Sequence, residues 1–145
     1  GRPLPVYGDG SNIRDWLYVE DHCRGIELVL HGGAVGESYN IGGNNEWHNL
    51  AIVELLCDQL DRRFAADATL AERFPDAPAA QGASARSLIH FVADRAGHDW
   101  RYAIDASRIT AELGYVPQET FETGIARTID WFLGNEPWWR PLLST

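Results

Sequence analysis

The chain has 145 residues, of which 45% are hydrophobic, and a formal net charge of −9. That length and composition are enough for one globular unit with a buried core, and they argue against disorder or a fibrous repeat. The acidity opposes non-specific binding to nucleic acid or to an anionic membrane, both of which need clustered positive charge, so any anionic ligand has to be held by a few placed arginines.

Leu4 to Tyr7 reads as a short extended segment, Gly8-Asp9-Gly10 as a turn, and Asp15 to Val19 as a second extended run leading into a helix. That helix is expected over Glu20 to His31, with Val19, Cys23, Ile26 and Leu30 inward at three-to-four spacing and Gly32-Gly33 as its stop. A strand is expected from Ser38 to Ile41, ended by Gly42-Gly43. The next helix is expected to start from Asn49 as N-cap and to run through Leu50, Val53, Leu56, Cys57, Leu60 and Phe64 on one face, with Asp58 and Asp61 toward water. Residues 67 to 87 are rich in Ala and Pro, and Pro75 and Pro78 forbid a long helix, so they read as a surface excursion. Leu88 to Val92 returns to strand character and leads into a loop from Asp94 to Asp99. Asp105 is placed to cap a short helix closed by Gly114. Thr120 is placed to cap a longer one with Phe121, Ile125, Ile129 and Phe132 inward, ending near Gly134 and Pro137. Short strands alternating with amphipathic helices make the fold class α/β.

Generic motifs exclude more than they assign. Gly8-Asp9-Gly10-Ser11-Asn12-Ile13 lacks the third glycine of a dinucleotide-binding loop and leads into a strand, so it is a turn. There is no Walker loop, no His-Glu-x-x-His and no nucleophile elbow. Cys23 and Cys57 lie among apolar residues and read as two buried thiols, with no metal site. All twelve basic residues are Arg and there is no Met. Any mechanism needing a lysine within the chain is therefore excluded, and both absences are expected of a piece of a longer polypeptide. No apolar run reaches the roughly 18 residues of a membrane span, and Gly1-Arg2-Pro3-Leu4-Pro5 lacks a signal peptide's layout, so a cytoplasmic location without membrane association is expected.

Longer strings carry a family resemblance. Leu4-Pro5-Val6-Tyr7-Gly8-Asp9-Gly10, Ile13-Arg14-Asp15-Trp16-Leu17-Tyr18-Val19-Glu20-Asp21-His22 and Tyr39-Asn40-Ile41-Gly42-Gly43 resemble the segments with which extended short-chain dehydrogenases/reductases grip a nucleotide-sugar. These would also suit UDP-galactose 4-epimerases and UDP-glucuronate decarboxylases. The string Ala93-Asp94-Arg95-Ala96-Gly97-His98-Asp99-Trp100-Arg101-Tyr102-Ala103-Ile104-Asp105 is similar specifically to dTDP-glucose 4,6-dehydratases, and the tail from Glu112-Leu113-Gly114-Tyr115 to Trp138-Trp139-Arg140-Pro141-Leu142 continues the match. The family usually has proline where Ala96 stands.

The resemblance implies that residues 1–145 are the C-terminal, nucleotide-sugar-binding domain of such an enzyme, without its NAD-binding Rossmann half. The intact enzyme is then an NAD-dependent lyase, expected to be a homodimer, that converts dTDP-glucose to dTDP-4-keto-6-deoxyglucose and water, usually toward rhamnose precursors. Its Tyr-x-x-x-Lys pair lies outside this chain, so no catalytic residue is expected here. The domain would pack against the dinucleotide-binding half and expose apolar surface without it. The alternatives are a stand-alone nucleotide-sugar-binding module and a piece of a UDP-sugar epimerase or decarboxylase.

The resemblance also places substrate-binding residues. Arg14 and Arg95 fall to the diphosphate, since a guanidinium offers planar bidentate donors and stays charged. The competing readings are ion pairs, of Arg14 with Asp15 or Asp21 and of Arg95 with Asp94 or Asp99. His98 falls to a phosphate or a sugar hydroxyl, Gly97 to close backbone approach, and Asp94 to orienting Arg95. Pro5 and Tyr7 fall to the base, against simple strand packing. Asn49 is divided between a ligand contact and a helix N-cap.

Overall fold

The computed structural model describes residues 1–144. The chain divides into two compact units, each assembled from two stretches of sequence: one from Gly1–Arg14 and Glu46–Ala103, the other from Asp15–Asn45 and the residues from Ile104 onward.

In the first unit, β1 (Leu4–Tyr7) pairs in parallel with β4 (Ile89–Val92), Leu4 opposite Ile89 and Tyr7 opposite Val92. The period-two alternation of a strand buries Val6, only 4% exposed, and leaves Pro5 and Tyr7 together on the open face. The turn that follows is closed by the Gly10 N–H donating to the Tyr7 carbonyl at 3.1 Å. Gly10 has φ +74°, and a Cβ there would lie 2.8 Å from both Leu50 Cβ and Val6 Cγ1, so backbone conformation and packing both require glycine. β2 (Ile13–Asp15) pairs with β3 (Glu46–His48), which runs directly into α2 (Asn49–Ala66).

α2 buries Ile52 and Cys57, and burial pushes the Cys57 thiol pKa up. The segment 67–87 folds back onto this helix through α3 (Thr69–Arg73) and 3₁₀ turns at Pro78–Gln81 and Ala85–Leu88, burying Leu70 and Ala85. Asp61 accepts the Ser84 hydroxyl at 2.6 Å and the Ala85 N–H at 2.9 Å, while Asp58 takes a two-pronged contact from Arg86 at 2.7 and 2.8 Å. Asp58 and Asp61, expected merely to face water, are the fastenings of that segment. The Arg86 hydrogen bonds hold the Asp58 carboxyl below its ordinary value.

The second unit contains α1 (Val19–Gly32), α4 (Ser107–Leu113), α5 (Phe121–Gly134) and α6 (Glu136–Trp139). Ala106, Ile109 and Tyr115 form its buried core, with Leu28, Val29, Tyr39, Ile41 and Leu113 packed around them. The Tyr115 hydroxyl donates to the Gly42 carbonyl at 3.1 Å, and burial raises its pKa. Thr120 caps α5 with a reciprocal Thr123 bond, and Gly114, left-handed at φ +69°, ends α4. Ala106 holds the α4 cap position; Asp105 lies one residue earlier and accepts the Ser107 N–H at 2.9 Å.

Further expectations for this unit are overturned. Phe132, expected inward on α5, is 46% exposed. The stripe Val19, Cys23, Ile26 and Leu30 is exposed, Leu30 to 78%, and α1 instead turns Asp21 and Gly25 inward. The Asp21 carboxylate, 0% exposed, accepts the Gln118 and Glu119 N–H groups at 2.8 and 3.1 Å and pairs with Arg24. A Cβ on Gly25 would come within 2.7 Å of Ile41 Cγ2, so Ile41 occupies the space that a side chain would need. Ser38 to Ile41 forms no strand, because a strand requires a ladder partner and these residues have none among those described.

Candidate functional site

The predicted residues all lie in the first unit, at the end where β1 and β4 deliver the chain into loops. Arg95 to His98 form a turn in which the His98 N–H donates to the Arg95 carbonyl at 3.3 Å and Gly97 has φ +71°. Asp94 organises this loop: one carboxylate oxygen accepts the Arg95 main-chain N–H at 2.9 Å and lies 2.7 Å from His98 Nδ1. These bonds, the His98 contact foremost, hold the Asp94 carboxyl below its ordinary value. Asp94 therefore acts on the backbone of Arg95 and on the ring of His98.

The His98 side chain is only 4% exposed and meets the Tyr7 ring edge-on, with centroids 6.1 Å apart. With Nδ1–H donating to Asp94, the neutral ring offers Nε2 as an acceptor, suited to a hydroxyl; a protonated ring would offer Nε2–H to a phosphate. The Arg95 guanidinium lies over the Tyr7 ring, its carbon 5.9 Å from the centroid. Tyr7 thus touches both functional groups of the loop, and Pro5 lies on the same face of β1.

Arg14 projects from β2 and donates to the carbonyl of Ile13 at 2.6 Å and to that of Asp99 at 3.0 Å. Its guanidinium carbon lies 4.4 Å over the ring of Tyr102. Neither Arg14 nor Arg95 forms an ion pair among the described residues, so the competing readings with Asp15, Asp21, Asp94 and Asp99 are not realised. Elsewhere Arg24, Arg86, Arg101, Arg108, Arg127 and Arg140 all meet carboxylates. Both free guanidinium groups act on the Tyr102 phenol, lowering its pKa against the larger upward pull of its bond to Asp99.

Asn49 is the first helical residue of α2; the cap position belongs to His48, and no side chain caps this terminus. The helix finds other acceptors, with the Asn49 N–H donating to the Asn12 carbonyl at 2.9 Å and the Leu50 N–H to the Gly10 carbonyl at 2.9 Å. The N-cap reading of Asn49 is therefore incorrect: the turn after β1 satisfies the orphan donors that a cap would have served. Its half-buried side chain is released from that duty. Sequence reasoning gave no role to Asn12 and Tyr102, and offered Asp99 only as a competing ion-pair partner of Arg95. Asn12 is 5% exposed and donates to the Asp99 carbonyl at 3.2 Å, and the Tyr102 hydroxyl bonds the Asp99 carboxylate. The one signal for Asp99 and Tyr102 is their position inside a family-like string; Asn12 falls between two strings and had none.

The second unit carries a groove of about 550 Å³ lined by Trp16, Tyr18, Phe121, Ile125, Trp131 and Phe132 among others. It contains none of the predicted residues and no arginine, so its walls offer a diphosphate nothing. Among the described residues no group of His, Cys, Asp and Glu is placed to hold a metal, and no helix is long and apolar enough to cross a membrane.

Comparison with solved structures gives the class: the chain has the mixed α/β fold of extended short-chain dehydrogenases/reductases. It is similar to a dTDP-glucose 4,6-dehydratase from Streptomyces venezuelae solved with NAD and a second ligand bound (TM-score 0.77, 44% identity, 98% of this chain and 37% of that one). It is less similar to a UDP-glucuronic acid 4-epimerase from Bacillus cereus in complex with UDP-glucuronic acid and NAD (TM-score 0.62, 26% identity, 84% of this chain and 32% of that one). A family model described as GDP-mannose 4,6 dehydratase matches residues 1–128, and the chain belongs to that family. The dTDP-glucose 4,6-dehydratase of Escherichia coli is 50% identical over 144 residues, covering 99% of this chain and 37% of that protein. The resemblance drawn from the strings holds, and the chain spans little more than a third of the length of the curated relatives that it matches.

Proposed function

We propose that this chain is the part of a dTDP-glucose 4,6-dehydratase that holds the nucleotide-sugar. The observation that carries the reading is the pair Arg14 and Arg95: in a protein of net charge −9, these two guanidinium groups are held by carbonyls and ring faces, with no carboxylate to neutralise them. Such groups are ready to meet a diphosphate. In this reading Pro5 and Tyr7 receive the base, Asn49 contacts the nucleotide, and Gly97 lets the main chain approach. Asp94 fixes the ring of His98 so that Nε2 meets a sugar hydroxyl or a phosphate oxygen.

The reaction proposed for the whole enzyme is loss of water from dTDP-glucose to give dTDP-4-keto-6-deoxyglucose. When bound, NAD would accept a hydride from the sugar and return it. The residues of this chain do not fit that cofactor: Gly8-Asp9-Gly10 is a turn leading to β2, and no strand runs through a glycine-rich loop into a helix among the described residues. What this chain contributes is therefore binding and orientation. The exposed stripe of α1 suits packing against a dinucleotide-binding half. A cytoplasmic homodimer binding neither nucleic acid nor membrane completes the proposal.

Calorimetric titration of the chain with dTDP and with UDP tests it. The expected result is tighter binding of dTDP, weakened by Arg14→Gln or Arg95→Gln between about tenfold and about a hundredfold each, the range for a lost charged hydrogen bond. Equal or stronger binding of UDP would favour an epimerase or decarboxylase, and indifference to both substitutions would remove the diphosphate assignment. The chain alone is expected to form no 4-keto-6-deoxy product, since it has no lysine to pair with a tyrosine.

A further inference from the structure

We infer that Tyr102 and Asp99 form a clamp that presets Arg14, making Tyr102 a positioning residue for the diphosphate; the inference rests on the function proposed above. The backbone supplies the frame. The Ile13 N–H donates to the Trp100 carbonyl at 2.8 Å and the Tyr102 N–H to the Ile13 carbonyl at 3.0 Å, which sets residues 100–102 beside the start of β2 in a parallel bridge. This bridge brings the Tyr102 ring under the Arg14 guanidinium at 4.4 Å. Asp99 closes the arrangement from both ends: its carbonyl accepts from Arg14 and from the buried Asn12, while its carboxylate is taken by the Tyr102 hydroxyl.

The division of labour at Asp99 decides the chemistry. Were its carboxylate free to swing to Arg14, the guanidinium would be neutralised, and a diphosphate would first have to displace a tethered anion. With the carboxylate tied to the phenol, Arg14 meets only carbonyl dipoles and the negative face of a ring. Both hold a cation in place without cancelling its charge. Arg14 spends two N–H donors on the Ile13 and Asp99 carbonyls and keeps the others for a ligand. The guanidinium is thereby oriented before the ligand arrives, and the entropy of fixing a long side chain is already spent in the free protein.

The test is a double-mutant cycle read by dTDP titration of the full chain. Tyr102→Leu, which removes both the ring and the phenol, is expected to weaken dTDP binding about fivefold, and Tyr102→Phe, which keeps the ring face but frees the Asp99 carboxylate, about threefold. In an Arg14→Gln background, Tyr102→Leu is expected to cost less than about twofold, because nothing remains to be positioned. An equal loss in both backgrounds overturns the clamp, as does no loss in either. The Arg14 Nε–H resonance gives a second readout needing neither ligand nor the Leu variant. A ring-current displacement present in the wild type and kept in Tyr102→Phe supports the stack, and a random-coil position overturns it. A wild-type chain that fails to bind dTDP defeats the proposed function, while the resonance still reports on the stack by itself.

Discussion

Ala96 occupies a position whose geometry asks for proline. The first-to-fourth bond from the His98 N–H to the Arg95 carbonyl, with Gly97 at φ +71° in third place, defines a type II turn, and proline pre-sets its second position, here Ala96. No described hydrogen bond uses the Ala96 N–H, so nothing is lost when the ring replaces it. Ala96→Pro is therefore expected to stabilise the chain by about 0.4–1 kcal/mol, through the smaller conformational entropy of the unfolded state. For a chain of this size that raises the midpoint of thermal unfolding by about 1–4 °C. Ligand affinity is a separate matter. Asp94 already fastens the loop through the Arg95 N–H and the His98 ring, so the dTDP dissociation constant should move by less than about twofold. Circular dichroism melts and calorimetric titration of the two proteins measure both quantities. A lowered melting midpoint would refute the turn assignment. A dTDP affinity raised more than about fivefold, equivalent to about 1 kcal/mol, would show that the Asp94 bonds do not hold the loop in the free protein.

Two further outcomes follow from the structure. The Asp94 carboxyl, depressed below its ordinary 3.8 by His98 and the Arg95 N–H, contributes stability that is present above the unfolded-state value and lost as pH falls through the depressed one. A side-chain carbon NMR titration should give an Asp94 midpoint below 3.8, and a midpoint at or above it would contradict the bonding described. Asp21→Ala leaves the Gln118 and Glu119 N–H groups and Arg24 without their buried acceptor, and urea unfolding is expected to show a loss of about 3 kcal/mol. A loss under about 1 kcal/mol would mean that water reaches those donors.

Local signals were legible where short-range physics decides. β1 from Leu4 to Tyr7, the glycine turn after it, the Thr120 cap and the Gly114 stop all stand where sequence reading put them, because each depends on a few neighbouring residues. The class of the protein was legible in the strings around Asp94–His98 and Ile13–His22. The α1 face was not. Val19, Cys23, Ile26 and Leu30 make an apolar stripe at helical spacing, yet the unit buries the opposite feature, a carboxylate and a glycine. Periodicity reports that a stripe exists without saying what covers it. Hydropathy ranks Asp21 among surface residues until its three donors are seen.

The site itself shows why chemistry was easier to read than its support. Arg14, Arg95 and His98 are distinctive by type and context, so the resemblance marks them. The groups that hold them are distant in sequence or are main-chain atoms without any residue signature: Asn12 and Arg14 meet the Asp99 carbonyl across 87 and 85 positions. The Asn49 cap went astray for a related reason. An asparagine ahead of a helical run is a sound cap by its local chemistry, but here the carbonyls of Gly10 and Asn12 had already reached the helix start from the turn after β1. That turn is pressed onto α2 by the lack of a side chain at Gly10. A glycine chosen for packing thus reassigns the helix terminus and leaves the Asn49 side chain free for another partner.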